Sequence, residues 1–167
     1  MMSKEVARQV LAALKSAGID FVAFLPDTAL IELDRMVADD PDLISVPVAN
    51  EGDGIAACGG AWLGGKRPAM IMENAGLFLA TYALMRSSIS FGFPVLLVMS
   101  YRGEFKEARW FSVPNGWASE PLLKALRIPY AVVRRRAEIA AAIENVQSSL
   151  SSQQYPAGIL FGGETIW

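Results

Sequence analysis

Apolar and polar residues follow two alternating patterns along this chain. Short runs that are almost continuously apolar, typical of buried strands, are separated by longer segments in which apolar residues recur every three or four positions, typical of amphipathic helices. The predicted strands are Phe21 to Leu25, Leu43 to Val48, Ala69 to Met72, Val95 to Met99, Tyr130 to Val132 and Ala157 to Phe161. The predicted helices are Lys4 to Ala17, Thr28 to Val37, Gly52 to Leu63, Leu77 to Ser88, Ser119 to Leu126 and Ala137 to Leu150.

This alternation of strands and helices predicts the fold class. We expect an α/β fold, a three-layer doubly wound sheet of about six mostly parallel strands with a flavodoxin-like arrangement. At 167 residues the chain has the length of one domain, so residues 1–167 are expected to form a single unit. The longest irregular segment, Tyr101 to Trp117, exceeds a typical connection, and such loops are often functional.

The composition narrows the classes of partner. Hydrophobic residues make up 53% of the chain and charged residues 19%, yet no apolar run approaches the roughly 20 residues of a membrane span. The apolar surplus indicates an interface with another subunit. A formal net charge of -2 offers no basic surface for nucleic acid. The single cysteine, Cys58, and an amino terminus without a signal-peptide core predict a cytoplasmic location.

The chain contains no histidine. Histidine-ligated zinc, Ser-His-Asp triads and histidine acid/base catalysis are therefore excluded. Any catalysis would depend on carboxylates, lysine, tyrosine or a bound cofactor.

Polar residues follow four of the predicted strands. Because the carboxyl ends of parallel strands meet at one edge of a sheet, where open α/β sheets bind ligands, these clusters predict a single site. Taken singly the residues have another explanation, since turns are polar and Asp27 or Asn50 can cap a helix. The clusters are Pro26 to Thr28, Asn50 to Glu51, Glu73 to Gly76 and Ser100 to Glu104.

Glu51 carries the strongest chemical signal. It lies where the strand pattern of Leu43 to Val48 gives way to a helix rich in alanine and glycine, nine residues before Gly60. A carboxylate there is either an acid favoured by the helix dipole or a catalytic group. The run from Asn50 to Lys66 resembles the pyrimidine-binding (Pyr) domain of thiamine-diphosphate-dependent enzymes.

Similarity to a narrower family covers essentially the whole chain. The matching segments are Phe21 to Pro26, Glu73 to Leu77, Phe93 to Glu104, Val113 to Gly116 and Ile128 to Tyr130. Together they resemble the alpha subunits of sulfopyruvate decarboxylase and the related phosphonopyruvate decarboxylases. Pro26-Asp27-Thr28 matches the phosphonopyruvate enzymes better, whereas Val113 to Gly116 favours the sulfopyruvate enzymes. Glu73 stands where the family commonly has glutamine, so the substrate is left open.

The resemblance implies the Pyr subunit of a thiamine-diphosphate-dependent decarboxylase for a small anionic 2-oxo acid, such as 3-sulfopyruvate or 3-phosphonopyruvate. In the resembling enzymes, the Glu that matches Glu51 hydrogen-bonds the cofactor's pyrimidine and favours its active tautomer. Asp27 is then a candidate proton relay. Arg102 is a candidate contact to the substrate's anionic tail, but an ion pair with Glu104 or Glu107 explains it equally well. The candidate cofactor contacts are Asn50, Asn74, Gly76 and Leu77.

Gly52-Asp53-Gly54 imitates the start of the metal and diphosphate motif of these enzymes, with Asn74 as a conceivable second ligand. The spacing to Asn74 is shorter than in the family, so we interpret the likeness as coincidental and expect no metal ligand in this chain. A second subunit is then expected to carry the diphosphate-binding domain and to hold Mg²⁺. Carboligation on the same cofactor and a non-catalytic scaffold role are the alternative functions.

Overall fold

The protein is built on one parallel sheet, seen in a computed structural model that describes residues 1–104 and 106–167. Its six strands lie in the order β2-β1-β3-β4-β6-β5, and every neighbouring pair is parallel. The strands are β1 (Phe21–Phe24), β2 (Ile44–Pro47), β3 (Pro68–Glu73), β4 (Leu96–Ser100), β5 (Tyr130–Val133) and β6 (Ala157–Phe161). The helices are α1 (Lys4–Ser16), α2 (Ile31–Asp39), α3 (Glu51–Leu63), α4 (Gly76–Ala83), α5 (Val113–Ala125) and α6 (Ile139–Gln153).

Two crossovers of opposite direction define a switch point beside β1. The chain passes from β1 through α2 to β2 at the sheet edge, then returns through α3 to β3 on the other side of β1. Phe24 of β1 pairs with Ile71 of β3, so the loops that follow these two strands begin close together. The carboxyl ends of β1 and β3 therefore form the position where such sheets bind ligands.

Alternate residues of the strands face two separate hydrophobic cores. In β3, Ile71 belongs to the core beneath α1, α2 and α6, while Met70 and Met72 belong to the core beneath α3, α4 and α5. All three side chains are fully buried. Helices thus cover both faces of the sheet, and the predicted three-layer, doubly wound α/β fold is confirmed.

The predicted strands and helices are all present, but β2 differs from its expected environment. The apolar run Leu43 to Val48 was predicted to be a buried strand. Instead β2 is an edge strand, and 48% of the Ile44 surface is exposed. The run is apolar because Val46 and Val48 pack against the core beneath α3, while within residues 1–104 and 106–167 no strand pairs with the outer edge of β2.

The loop after β4 is shorter than predicted. Helix α5 begins at Val113 and takes in the Val113 to Gly116 segment, which the sequence pattern assigned to the loop. Pro114 lies in the first turn, where a missing N–H removes no hydrogen bond from the helix. Gly116 is close to the main chain of Gly103, so the absence of a side chain there allows α5 to pack on the loop.

The helix predicted over Leu77 to Ser88 is two elements. After α4 the chain widens into a π-helix over Leu84–Ile89. Serine hydroxyls in and after this stretch donate to main-chain carbonyls, Ser88 to Phe93 at 2.7 Å and Ser90 to Met85 at 2.6 Å. Such bonds compete with the regular helical ladder, and π-turns inside helices occur where that ladder is interrupted.

The outer surface of α4 and the π-helix is apolar. Leu79 and Tyr82 are 68% and 77% exposed, and Phe78 and Met85 accompany them. We call these four side chains the α4 apolar face. Over residues 1–104 and 106–167, no helix has both the length and the apolar character needed to cross a membrane.

Candidate active site

A pocket of 260 Å³ lies at the switch point, between the loops after β1 and β3 and the start of α3. Three of the four predicted polar clusters meet there, and each contributes a carboxylate. Two other pockets, of 330 and 780 Å³, lie along α6, away from these groups. The lining residues of the switch-point pocket are Leu25, Pro26, Asp27, Thr28, Glu51, Glu73 and Ala75.

Glu51 is the first residue of α3, and only 6% of its surface is exposed. The helix is capped by Asn50, whose side-chain oxygen accepts a hydrogen bond from the Asp53 N–H at 3.0 Å. The Oε2 atom of Glu51 is buried without a hydrogen-bond partner in the described part of the chain. A buried carboxylate oxygen left unpaired is costly, so this atom is available to accept a hydrogen bond.

Gly76 explains how the Glu51 side chain fits beneath α4. A Cβ atom at position 76 would lie 2.5 Å from Cγ and 2.6 Å from Cδ of Glu51. Both distances are far below van der Waals contact. The missing side chain therefore creates the space that the carboxylate occupies.

Asp27 is also buried, with 6% of its surface exposed, in the turn that joins β1 to α2. Its Oδ1 atom accepts from the Ala29 N–H at 3.1 Å, and its Oδ2 atom has no partner in the residues described. Behind it, Asp34 accepts from the Asp27 N–H at 3.2 Å. Burial, aided by the nearby Asp27 charge, raises the pKa of Asp34 to about 7. Asp34 is therefore partly protonated near neutral pH.

Glu73 ends β3 and faces the same pocket, where it is half-buried. Its Oε1 atom accepts a hydrogen bond from the Asn115 side chain at 3.3 Å. Burial first, and then the charge of Asp27, raise the pKa of Glu73 above its ordinary value. The Asp27 carboxyl lies within hydrogen-bonding reach of Glu73.

Arg102, in the loop after β4, forms a buried ion pair with Glu107. Its Nε and Nη2 atoms donate to the two carboxylate oxygens at 2.8 and 2.7 Å, and the side chains are 5% and 1% exposed. Its guanidinium also lies 5.2 Å from the ring centre of Trp167. The hydrogen bonds from the Arg102 guanidinium lower the pKa of Glu107 to about 2. Of the two ion pairs considered for Arg102, the structure contains the one with Glu107, since Glu104 pairs with Arg134.

Asn74 joins the loops after β3 and β4. Its side-chain amide donates to the Arg102 carbonyl and to the Ser119 hydroxyl, both at 2.9 Å, and its oxygen accepts from the Arg102 N–H at 3.1 Å. The side chain is fully buried and does not line the pocket. This geometry gives Asn74 a positioning role, and its contact with a cofactor stays a prediction.

The other predicted residues surround the pocket without lining it. Leu77 is fully buried in the core beneath α4, and Asn50 is an exposed helix cap. The Asp53 carboxylate is held by the Asn50 amide at 2.6 Å, so Gly52-Asp53-Gly54 forms part of a helix start. Among the described residues, no group of three or more Asp, Glu, Cys or His side chains is arranged to hold a metal ion.

Sequence reasoning missed the roles of Glu73, Asp34 and Asn115. Glu73 was placed in one of the polar clusters expected at the site and noted as a departure from a family pattern, but no role was assigned to it. Asp34 had a clear signal, because Leu30, Leu33 and Val37 share its helical face and are fully buried. No local signal pointed to Asn115, since its contact with Glu73 spans 42 positions of the chain.

Comparison with known proteins gives the family. No family model matches the chain. The sulfopyruvate decarboxylase alpha subunit of Methanococcus maripaludis is 32% identical over 151 residues, which are 90% of each protein. The alpha subunit from Methanocaldococcus jannaschii is 32% identical over 149 residues, 89% of this chain and 88% of that protein.

The chain belongs to the family of sulfopyruvate decarboxylase alpha subunits. A phosphonopyruvate decarboxylase from Streptomyces viridochromogenes matches a shorter part, with 32% identity over 97 residues that cover 58% of the chain and 24% of that enzyme. Both resemblances expected from the sequence are thereby confirmed.

A solved structure supports the fold. The 2-oxoglutarate:ferredoxin oxidoreductase of Magnetococcus marinus superimposes with a TM-score of 0.75 over 99% of this chain and 30% of that chain. The sequence identity is 19%, so the likeness concerns the architecture. The same three-layer arrangement therefore serves as one part of a much longer polypeptide there.

Proposed function

We propose that this chain is the pyrimidine-binding subunit of a thiamine-diphosphate-dependent decarboxylase that acts on a small anionic 2-oxo acid. The observation that carries the proposal is the buried Glu51 carboxylate, whose Oε2 atom is unpaired beside a pocket at the switch point. Membership of the sulfopyruvate decarboxylase alpha-subunit family supports the reaction class.

The pocket fits the pyrimidine side of the cofactor. A buried carboxylate with a free oxygen matches a ring nitrogen that must carry a proton, and Gly76 leaves room for that carboxylate. When bound, thiamine diphosphate supplies the carbon nucleophile and the electron sink for the loss of carbon dioxide. The role of Glu51 is to hold the proton on the pyrimidine ring.

Asp27 and Arg102 contribute charge at the substrate side. Asp27 presents its unpaired Oδ2 atom in the same pocket as Glu51, which suits a proton relay. Arg102 does not line the pocket, but its charge acts on both Asp27 and Glu73. We therefore assign to Arg102 an electrostatic influence on these two carboxyl groups, while its own hydrogen-bond donors bind Glu107.

A second subunit is part of the proposal. The relatives that this chain matches over most of their length are named alpha subunits, which implies at least one other subunit. The α4 apolar face adjoins Gly76, beside Glu51, so a partner that covers it would also close the pocket. We assign to that partner the diphosphate-binding domain and the Mg²⁺ that neutralises the diphosphate.

The substrate is proposed as 3-sulfopyruvate or 3-phosphonopyruvate. Relatives of both activities match the chain, and the sulfopyruvate alpha subunits match it over a far larger part of their own length. That coverage favours 3-sulfopyruvate as the first substrate to test.

Reconstitution tests the proposal. The chain is produced alone and together with the product of the reading frame that adjoins its gene, and carbon dioxide release is followed with thiamine diphosphate, Mg²⁺ and each 2-oxo acid. We expect release by the pair and none by the lone chain. Release by the lone chain would overturn the two-subunit assignment. A properly assembled pair that decarboxylates none of the 2-oxo acids would overturn the decarboxylase assignment.

A further inference from the structure

We propose that the carboxyl groups of Asp27 and Glu73 hold one proton between them, and that Glu73 is the residue that stores the proton delivered to the product. The use of this proton rests on the proposed function. The sharing of the proton does not, because it follows from the geometry of this chain.

The two carboxyl groups meet from neighbouring strands. Asp27 follows β1 and Glu73 ends β3, and the pairing of Phe24 with Ile71 brings these two strand ends together. Both residues line the switch-point pocket. Their carboxyl groups lie within hydrogen-bonding reach of one another, although neither carries a donor when it is ionised.

Other residues donate few hydrogen bonds to these two carboxyl groups. Asp27 uses Oδ1 to accept from Ala29, while its Oδ2 atom has no donor in the described part of the chain. Glu73 receives one long bond of 3.3 Å from Asn115. Two ionised carboxylates in contact repel each other strongly, and a single shared proton converts the repulsion into a hydrogen bond.

The surrounding charges favour retention of that proton. Asp34 lies behind Asp27, and Glu51 lines the same pocket, so both surround the pair with further carboxyl groups. Arg102 is the cation that acts on the pair, but its guanidinium is bound to Glu107, which offsets its charge. The pKa of Glu73 is raised accordingly, with burial as the larger cause and Asp27 as the next.

A stored proton is what the overall reaction consumes. Decarboxylation breaks the bond between the carboxylate carbon and the carbonyl carbon of the 2-oxo acid, releases carbon dioxide, and forms a new C–H bond at the carbonyl carbon. The electron pair of the broken bond ends in that C–H bond, and the proton comes from the Asp27–Glu73 pair. The pair is then left with both carboxylates ionised and takes a proton from water before the next turnover.

A nuclear magnetic resonance titration tests proton sharing directly. The side-chain carboxyl carbons of this chain are labelled with ¹³C, and their titration is followed in the wild type, Glu73→Gln and Asp27→Asn. Because the two groups share one proton, Asp27→Asn should lower the titration midpoint of Glu73 by about one pH unit or more. Glu144→Gln, a change at an exposed residue of α6, is the matched control and should leave the Glu73 midpoint unchanged.

The dependence of the Glu73 midpoint on Asp27 separates this proposal from a structural role for Glu73. If Glu73 served only to accept from Asn115, then Asn115→Ala would move its midpoint and Asp27→Asn would not. A Glu73 midpoint that is indifferent to Asp27→Asn would overturn proton sharing. Circular dichroism and thermal unfolding of each variant establish that the midpoints compared belong to folded protein.

Kinetics of the assembled enzyme test the use of the proton. Glu73→Gln keeps the shape of the side chain but cannot supply an acidic proton, so kcat should fall by about 10²-fold or more while KM changes little. If kcat is unchanged in Glu73→Gln although the Glu73 midpoint depends on Asp27, then Glu73 does not supply the proton of the product. A wild-type assembly with no activity would count against the proposed function, and the titration would still decide whether the proton is shared.

Discussion

Gly76 lies directly against the side chain of Glu51, so that the first residue of α4 makes room for the first residue of α3. A Cβ atom at position 76 would approach Cδ of Glu51 to 2.6 Å. The carboxylate is therefore positioned by the absence of a neighbouring side chain as much as by its own helix. This relationship gives the candidate site its first test away from the carboxylate itself.

Gly76→Ala should displace the Glu51 carboxylate without removing it. We expect turnover of the assembled enzyme to fall by about 10²-fold, since small displacements of a catalytic group carry penalties of that size. Activity and secondary structure are measured together, so that misplacement is distinguished from unfolding. Wild-type turnover in a folded Gly76→Ala variant would show that the Glu51 position is not critical.

Gly60→Ala provides the control for adding a methyl group to a helical glycine. No atom lies within 4 Å of the position that a Gly60 Cβ would occupy, and the residue is exposed on α3. Thermal unfolding of this variant should show unchanged or slightly higher stability, by about 0.5–1 kcal/mol, because alanine is the better helix former.

Glu107→Gln should destabilise the chain by leaving the Arg102 charge buried and unpaired. Removing one partner of a buried ion pair costs about 3–5 kcal/mol, and urea unfolding at neutral pH measures it. The control is Glu104→Gln, whose partner Arg134 is 53% exposed, and there we expect a loss of about 0–1 kcal/mol. Equal losses in the two variants would contradict the special role of the Arg102–Glu107 pair.

The Arg102–Glu107 pair also makes the stability of the chain depend on pH. The folded pKa of Glu107 is about 2, below the ordinary 4.5, so its stabilising contribution is complete above the unfolded pKa and is lost as the pH falls toward 2. The stability difference between wild type and Glu107→Gln should therefore shrink as the solution is acidified. A difference that stays constant down to pH 2 would contradict the assignment.

Asp34→Asn should show the opposite pH dependence. The pKa of Asp34 rises from 3.8 to about 7 in the folded chain, so stability due to this group is present below the unfolded pKa and is lost as the pH rises toward 7. Asparagine cannot ionise, so the variant should be more stable than wild type at pH 8, on the order of 1–4 kcal/mol, and similar at pH 4. Asp39→Asn, on the exposed side of α2, should show no such pH dependence.

The fold was predictable because each strand carries its own signal. Apolar runs such as Val95 to Met99, bounded by Pro94, stand out locally, and six of them separated by helical patterns leave few possible architectures. The start of α5 was not predictable in this way. Pro114 and Gly116 are typical of loops, and only the contact of Gly116 with Gly103 reveals that the segment packs as a helix.

The site was predictable to the extent that strand order brings chain segments together. Asp27 and Glu51 follow β1 and β2, and Glu73 ends β3, so their convergence follows from the parallel sheet. The partners of these groups depend on long-range packing. Nothing local in the sequence decides whether Arg102 pairs with Glu104, with Glu107 or with a substrate, and the buried position of Glu107 is visible only in the folded chain.

Turnover of a Glu51→Gln enzyme, assembled with its partner subunit and saturated with thiamine diphosphate and Mg²⁺, tests the central claim most directly. The substitution nearly preserves shape but removes the negative charge that the buried, unpaired Oε2 atom offers to the pyrimidine. We predict that kcat falls by about 10²–10⁴-fold while the assembly stays intact by size-exclusion chromatography. Turnover within about twofold of wild type, far from the loss expected for a catalytic acid or base, would contradict the claim.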